Sequence, residues 1–451
     1  MKYLYHDQAY DFATPVESWW EASAGPAVET SDLAAESGVA CDVAVIGGGY
    51  TGLSTAYHLA RDHGMDVRVL EAGQPGWGAS GRNGGFCGPG ATKLSRKQML
   101  ATYGVEATRA FGVMHRESVD LVAEILESEG IDADKTGDRG EICFAHKPSR
   151  VAELREEAAT ANEVYPFDRV FLDRDECHAF GIGGPEVHGG MLMKGPFGLH
   201  PLKYCRGLAR AAQTHGAVIH GDARVTGWRR DGADHVLETA KGEVRAKKVI
   251  VGTNGYTAED MHPGLEGRVL PTLTNILVTR PLSAAEQDEQ GWTATDIAFD
   301  TRTLLHYVRL LPDGRFLFGG RGGWDASPAG VAERRRIMID EFRQMFPAWA
   351  DVEFTHFWNG FVCITYDRVA HIGMIDNDPT ILCALAYHGS GVGPATWAGR
   401  ACARLAAGVA NLDRDVPAAM RGAPPRFPLP ALRKVYLRAA YAHYGLKDRW
   451  L

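Results

Sequence analysis

The sequence predicts an α/β fold that opens on a βαβ unit, an expectation carried by three observations. Cys41 to Ile46 (CDVAVI) is a short apolar run of the kind buried in a parallel sheet. It stops at a glycine cluster, and the helical stretch that follows (GLSTAYHLARDHG) runs to Gly64, a residue suited to a helix C-cap. Met65 to Glu71 (MDVRVLE) then reads as a second strand and closes the unit.

Between the first strand and the helix lies Gly47-Gly48-Gly49-Tyr50-Thr51-Gly52, a GxGxxG hexamer. Its first glycine permits the tight turn, the second lets backbone approach a pyrophosphate, and the third lets the helix pack closely on the sheet. The helix then turns its positive end towards the phosphates. Alone the hexamer is a weak signal. Glu71, at the end of the second strand, adds a carboxylate where ribose hydroxyls would donate to it. Gly47, Gly49, Gly52 and Glu71 together predict a Rossmann-like dinucleotide site.

Residues 76–90 (GWGASGRNGGFCGPG) are too glycine-dense for an ordinary crossover helix, yet they carry Ser80, Arg82 and Asn83. Such a loop lets backbone lie against a flat ring system, while Arg82 offers charge to phosphate or flavin oxygens. A nicotinamide enzyme does not need this second loop, so the dinucleotide is expected to be FAD.

Ahead of the first strand, residues 1 to about 38 are aromatic and acidic (ESWWEASAGP) and read as an arm lying on the domain. Residues 99–130 and 149–164 have helical composition, whereas GAVIHGDARVTGWRR and HVLETAKGEVRAKKVIVGTNG read as strands with short turns. Strands dominate from about 268 to 322, followed by a helix around 329–346. A last apolar strand (TILCALAY) and a helix (ATWAGRACARLAAG) close the pattern.

At 451 residues and 45% hydrophobic, the chain can bury a large core in two or three domain-sized units. A net charge of −8 with no Lys/Arg block argues against nucleic acid as a partner. The eight cysteines are scattered, without zinc-like spacing, so no metal is expected and the thiols read as reduced. The opening MKYLYHDQAYDF is acidic and lacks a signal-peptide core, which gives a cytoplasmic expectation. Thr380 to Gly399 is uncharged over 20 residues, but its glycines, His388 and Pro394 favour a buried strand, a turn and a helix start over a membrane span.

On GASGRNGG above all, and on ESWWEASAGP, VIGGGYTGLSTAYHLA, VGTNGY, LLPDGRFLFGG and PLPALRK, the chain resembles the D-amino-acid-oxidase-like flavoproteins. Within them it is most similar to the gamma-glutamylputrescine oxidase group. The resemblance implies a Rossmann-like FAD-binding domain (39–95, 196–257, 363–420) interleaved with an α+β substrate domain (96–195, 258–362) on a mixed, largely antiparallel sheet. An arm (1–38) and a C-terminal extension (421–451) would flank them. Ala79, Ser80, Arg82, Asn83, Gly84 and Gly85 would then meet the diphosphate, ribityl and isoalloxazine parts. Val225 would pair its backbone with adenine, and Thr253, Asn254 and Gly255 would lie near the diphosphate. Gly389, Gly391, Val392 and Gly393 would lie beside the flavin pyrimidine, where a helix start could also stabilise negative charge.

The resemblance further implies hydride transfer from the carbon beside an amine to flavin N5, giving an imine that water hydrolyses. The substrate would be a small primary or secondary amine of the gamma-glutamylputrescine kind. The alternatives are a D-amino-acid or N-methyl-amino-acid dehydrogenase, in which Arg280, Arg302 or Arg309 would bind a carboxylate, and a flavin-bound subunit without turnover. Pocket candidates are His306, Tyr307, Arg309, Trp358, Tyr387 and His388. Strand alternation puts His306 on one face and Tyr307 and Arg309 on the other.

Oxygen-using relatives place a lysine in the region resembling RFLFGG, whereas residues 257–364 here contain none and Arg315 is the nearest cation in sequence. Oxygen is therefore expected to be a slow acceptor, with another electron acceptor open. Sarcosine oxidases bond FAD to a cysteine in a segment comparable to that around Cys363, but ITYDRVAHIG looks like the other group, and non-covalent FAD is expected.

Overall fold

The computed structural model describes residues 2–36, 38–160 and 164–450. Parts of the expected arm (1 and 37), of the expected helix over 149–164 (161–163) and of the C-terminal extension (451) lie outside the described residues.

Val39–Ile46 lies at the centre of a first sheet, parallel to Val67–Leu70 on one side and to Gly242–Val251 on the other. Val218–His220 and Ile381–Leu385 extend it in parallel outwards, and His371–Met374 adds an antiparallel edge. A hairpin, Val225–Asp231 with Asp234–Thr239, pairs with the first half of Gly242–Val251. The apolar runs are continuous because both faces are buried. Val43, Val45, Val67 and Val69 enter the core beneath the helices Tyr50–His63, Pro201–Thr214 and Val392–Ala406. Ala44, Ile46 and Leu70 enter a separate core on the other face.

The second sheet runs Phe354–Ile364, Leu270–Pro281, Arg315–Arg321, His306–Leu310, Ile297–Asp300, Glu141–Phe144, Gly190–Met193, Arg169–Leu172. Every junction is antiparallel except the parallel pair Ile297–Asp300 and Glu141–Phe144. Helix Pro328–Met345 closes its back, packing Met338, Phe342 and Met345 in one core with Phe316 and Phe318. The fold is thus the expected α/β architecture, with strands of the first sheet drawn from 39–70, 218–251 and 371–385, and strands of the second from 141–193 and 270–364.

The uncharged Thr380–Gly399 stretch supplies the strand Ile381–Leu385, a turn and the start of Val392–Ala406. Among the described residues no helix is long and apolar enough to cross a membrane, and no three His, Cys, Asp or Glu side chains are grouped to hold a metal.

Candidate active site

A cavity of about 410 Å³ is lined by residues of both sheets, from Glu71 and Val225 near the carboxyl ends of the parallel strands to Tyr307 and Arg321 on the front of the second sheet. In an open α/β sheet this is where a ligand belongs, at the reversal of strand order. The order reverses at Val39–Ile46.

Gly47 turns the chain at φ 108°, and a Cβ on Gly52 would come within 1.9 Å of the Gly47 carbonyl oxygen. The Glu71 carboxylate accepts the Gly48 N–H at 2.5 Å and the Gly73 N–H at 3.0 Å, which fixes the turn. Burial pushes the Glu71 carboxyl up while those two N–H groups pull it down. Tyr50–His63 starts at Gly49 and Val392–Ala406 at Gly391, neither with a side-chain cap, and both starts line the cavity. Ser80 Oγ accepts the Tyr50 N–H at 2.9 Å, and two helix N-termini that open on glycine at one cavity suit a diphosphate and an electron-rich ring. The residues therefore fit FAD on the geometry of the chain itself.

The 76–90 loop forms a ledge whose carbonyls from Arg82 to Gly85 are held from behind. Trp358 donates to the Arg82 carbonyl and Trp20 to that of Asn83, each at 2.8 Å. Arg309 donates to the carbonyls of Gly84 (3.3 Å), Gly85 (3.2 Å) and Leu199 (2.7 Å). Asn83 folds back, its Nδ2 donating to the Ala79 and Ser80 carbonyls and its Oδ1 accepting the Gly85 N–H. Arg82 lines the cavity, but its Nε donates to the Trp77 carbonyl and its Nη1 to that of Asn359, with the guanidinium 4.0 Å above the Trp77 ring. Arg82 thus braces the ledge instead of holding its charge free for phosphate.

Of the other expected cofactor residues, Gly47, Gly49, Ala79, Ser80, Gly84, Val225, Thr253, Asn254, Gly389, Gly391 and Val392 line the cavity. Asn254 accepts the Ala386 N–H at 2.8 Å and so ties the loops after two neighbouring strands. Gly52, Gly85, Gly255 and Gly393 do not line it. A Cβ on each would meet its own neighbour, at 1.9 Å from the Gly47 oxygen, 1.9 Å from the Leu199 oxygen, 2.9 Å from Phe361 and 2.9 Å from Ser118, so these glycines permit close packing behind the wall.

Three pocket candidates are corrected. His306 faces the back core, its Nδ1 2.9 Å from Asp300 and its Nε2 3.5 Å from Glu341. Arg309 shares the face of Tyr307 but lies behind the ledge as its clamp. Trp358 is buried beneath the same loop. Tyr307, Tyr387 and His388 do line the cavity. The Tyr307 hydroxyl lies 3.0 Å from Thr274 Oγ1, and Gly319 opposite it leaves room for the ring, which stands 2.0 Å from where a Cβ would be. Tyr387 bonds Thr51 at 2.8 Å and so joins the two helix starts. Burial, then Lys93, push His388 down to about 3, leaving it neutral.

Lys93, Glu141 and Arg321 were missed, and they are the charged groups facing the substrate end. None has an ion-pair partner among the described residues. Burial pushes Glu141 up to about 8, against the pull of Arg169. Burial lowers Arg321 as well, though a guanidinium stays charged. The expected carboxylate binders lie elsewhere: Arg280 pairs with Glu286, and Arg302 with Asp300 and Glu186. Arg315, expected as the nearest cation, stacks on Trp19 outside the cavity, and the cations that line it nearby are Lys93 and Arg321. Alternation could have found Arg321, which lies two residues beyond Gly319, the cross-strand partner of Tyr307.

The fold and cavity define a flavin-dinucleotide oxidoreductase. The chain belongs to the DAO family, FAD dependent oxidoreductase, whose model matches residues 42–405. It is 33% identical over 445 residues to a "probable oxidoreductase OrdL" of Rhizobium meliloti, covering 97% of this chain and 98% of that protein. It is 31% identical over 440 residues to the gamma-glutamylputrescine oxidoreductase of Escherichia coli, with 96% and 98% covered. Among solved structures, iminodiacetate oxidase of a Chelativorans species superposes with a TM-score of 0.68 at 18% identity, covering 85% of this chain and all (100%) of that one. Glycine oxidase of Geobacillus kaustophilus gives 0.66 at 22% identity, with 83% and 96% covered. The protein is an FAD-dependent enzyme that oxidises amines or amino acids.

Proposed function

We propose that the enzyme oxidises a C–N bond in a small primary or secondary amine that carries a carboxylate, of the gamma-glutamylputrescine kind. The observation that carries this reading is Arg321, a permanent cation that lines the cavity with no ion-pair partner among the described residues, beside Lys93 and in a lining that also holds Glu141, Met193, Phe299 and Leu305. A cation left without a partner in a dry cavity is a site for an anionic group. Arg321 would bind the carboxylate, and Tyr307, oriented by Thr274, would hold the substrate's polar end. The apolar wall would exclude water from the reacting carbon. FAD, when bound, supplies the two-electron acceptor, and the imine product hydrolyses in water to an aldehyde or oxo product. The division into dinucleotide segments (39–95, 196–257, 363–420) and substrate segments (96–195, 258–362) belongs to the same proposal.

Arg321 also favours a second reading, a D-amino-acid or N-methyl-amino-acid substrate, in which the carboxylate sits beside the amine. Anaerobic bleaching of the flavin by gamma-glutamylputrescine, putrescine, D-alanine and sarcosine separates the two. The first reading expects gamma-glutamylputrescine to bleach it, with putrescine, which lacks the carboxylate, needing at least about 10-fold higher concentration. Bleaching by D-alanine or sarcosine alone would move the enzyme to the second reading.

A further inference from the structure

We infer that Lys93 is the base that takes the proton from the substrate ammonium before the C–N bond is oxidised. The inference rests on the reading of this cavity as the amine-oxidation site. Lys93 projects from a fixed backbone. Its N–H donates to the Arg368 carbonyl at 2.9 Å, Thr92 before it bridges to Val369, and Ala91 carries the turn at φ 64°. The side chain lines the cavity, and its amine has no hydrogen-bond or ion-pair partner among the described residues.

The charged and titratable groups that meet it come from two neighbouring elements, Arg321 at the end of its strand and His388 in the turn after Ile381–Leu385. Neither is an acid. A lysine in a cavity beside a permanent cation, with no carboxylate among the groups that meet it, is pushed towards its neutral form. Burial and then Arg321 hold Lys93 well below the usual lysine range. The other titratable side chains of the wall serve less well. His388, at about 3, is too weak to hold an ammonium proton. Glu141, at about 8, is already protonated at neutral pH. Tyr307 is pushed up to about 12 by burial. Glu71 is tied to Gly48 and Gly73.

The proton balance is simple. An N–H bond of the substrate ammonium breaks, its electron pair stays on nitrogen, and the proton bonds to the lone pair of the Lys93 amine. The freed nitrogen pair would then form the C=N bond as the neighbouring carbon gives up hydride, for which bound FAD would supply the two-electron acceptor. One proton rests on Lys93 until it passes to water, and the two electrons of the C–H bond would be taken up by the cofactor.

Two measurements test this. Acetic anhydride labelling of the FAD-loaded protein across pH 5 to 11, read by mass spectrometry of the Lys93 peptide, needs no substrate. We expect the labelling midpoint of Lys93 to lie at least about two pH units below those of the surface lysines. A midpoint among theirs overturns the inference. In anaerobic stopped flow with gamma-glutamylputrescine, Lys93→Met and Lys93→Arg should bleach at least about 100-fold more slowly than wild type at pH 7. Both should recover as pH rises towards the amine's own pKa, with reoxidation by oxygen unchanged. Bleaching at the wild-type rate with slowed reoxidation overturns it and assigns Lys93 to the oxygen step. If no amine bleaches the wild type, the proposed function fails, while the labelling still reports on Lys93.

Discussion

Cys363 lines the cavity from the strand Phe354–Ile364 and is about 1% exposed, so its position alone would permit a bond to FAD. Its chemistry opposes one. The thiolate is the nucleophile, and burial pushes this thiol well above its usual range. We expect acid precipitation to release all the yellow colour into the supernatant and the intact mass to match the bare polypeptide. A yellow pellet that turns white in Cys363→Ala would reverse this. At the same scale, the glycine motif and Glu71 could be read in the sequence because a tight turn and a close backbone approach admit few residue types. Lys93, Glu141 and Arg321 could not be read that way. They come from a loop and two separate strands, and what distinguishes them is the lack of an ion-pair partner among the described residues, which sequence does not record.

Strand His306–Leu310 divides its labour between two faces. Tyr307 and Arg309 serve the cavity and the ledge, while His306 bonds Asp300 at the end of the neighbouring strand, reaches Glu341 on helix Pro328–Met345 and stacks on Phe318. Alternation separated the faces correctly, but only the packed helix reveals what the back face holds. Burial alone would lower His306, yet the two carboxylates outweigh it and raise the imidazole from 6.5 to about 9. The contribution to stability is then complete below pH 6.5 and is lost as pH rises through about 9. We expect the melting temperature of wild type to fall between those values relative to His306→Gln, whose own profile should lack that step. Parallel profiles would mean that the pair does not titrate in this range.

At the scale of the molecule, both terminal segments close on this same cavity although the family match covers only 42–405. Trp20, from the arm, holds the ledge at Asn83. Asp448, in the helix Arg433–Trp450, accepts the N–H groups of Thr303 and Leu304 at 2.9 Å each, beside Leu305 in the cavity wall. Charged hydrogen bonds of this kind contribute about 1.5–3 kcal/mol. We expect Asp448→Asn to raise KM for the amine by at least about threefold, from loss of part of that energy, with FAD retention unchanged. An unchanged KM would limit Asp448 to tying down the helix.

The first sheet's strands come from three distant stretches of chain, and this sets an order of events in time. A ribosome that has released residues 39–71 has made the glycine turn and its carboxylate, but not Gly242–Val251, the strand that flanks Val39–Ile46 on the other side. The second helix start, Gly391, emerges later still. The nascent chain therefore carries its most legible motif without a site for most of its synthesis. Cofactor capture becomes a late, post-assembly step, and until then the apolar strand Val39–Ile46 stands exposed to wrong partners.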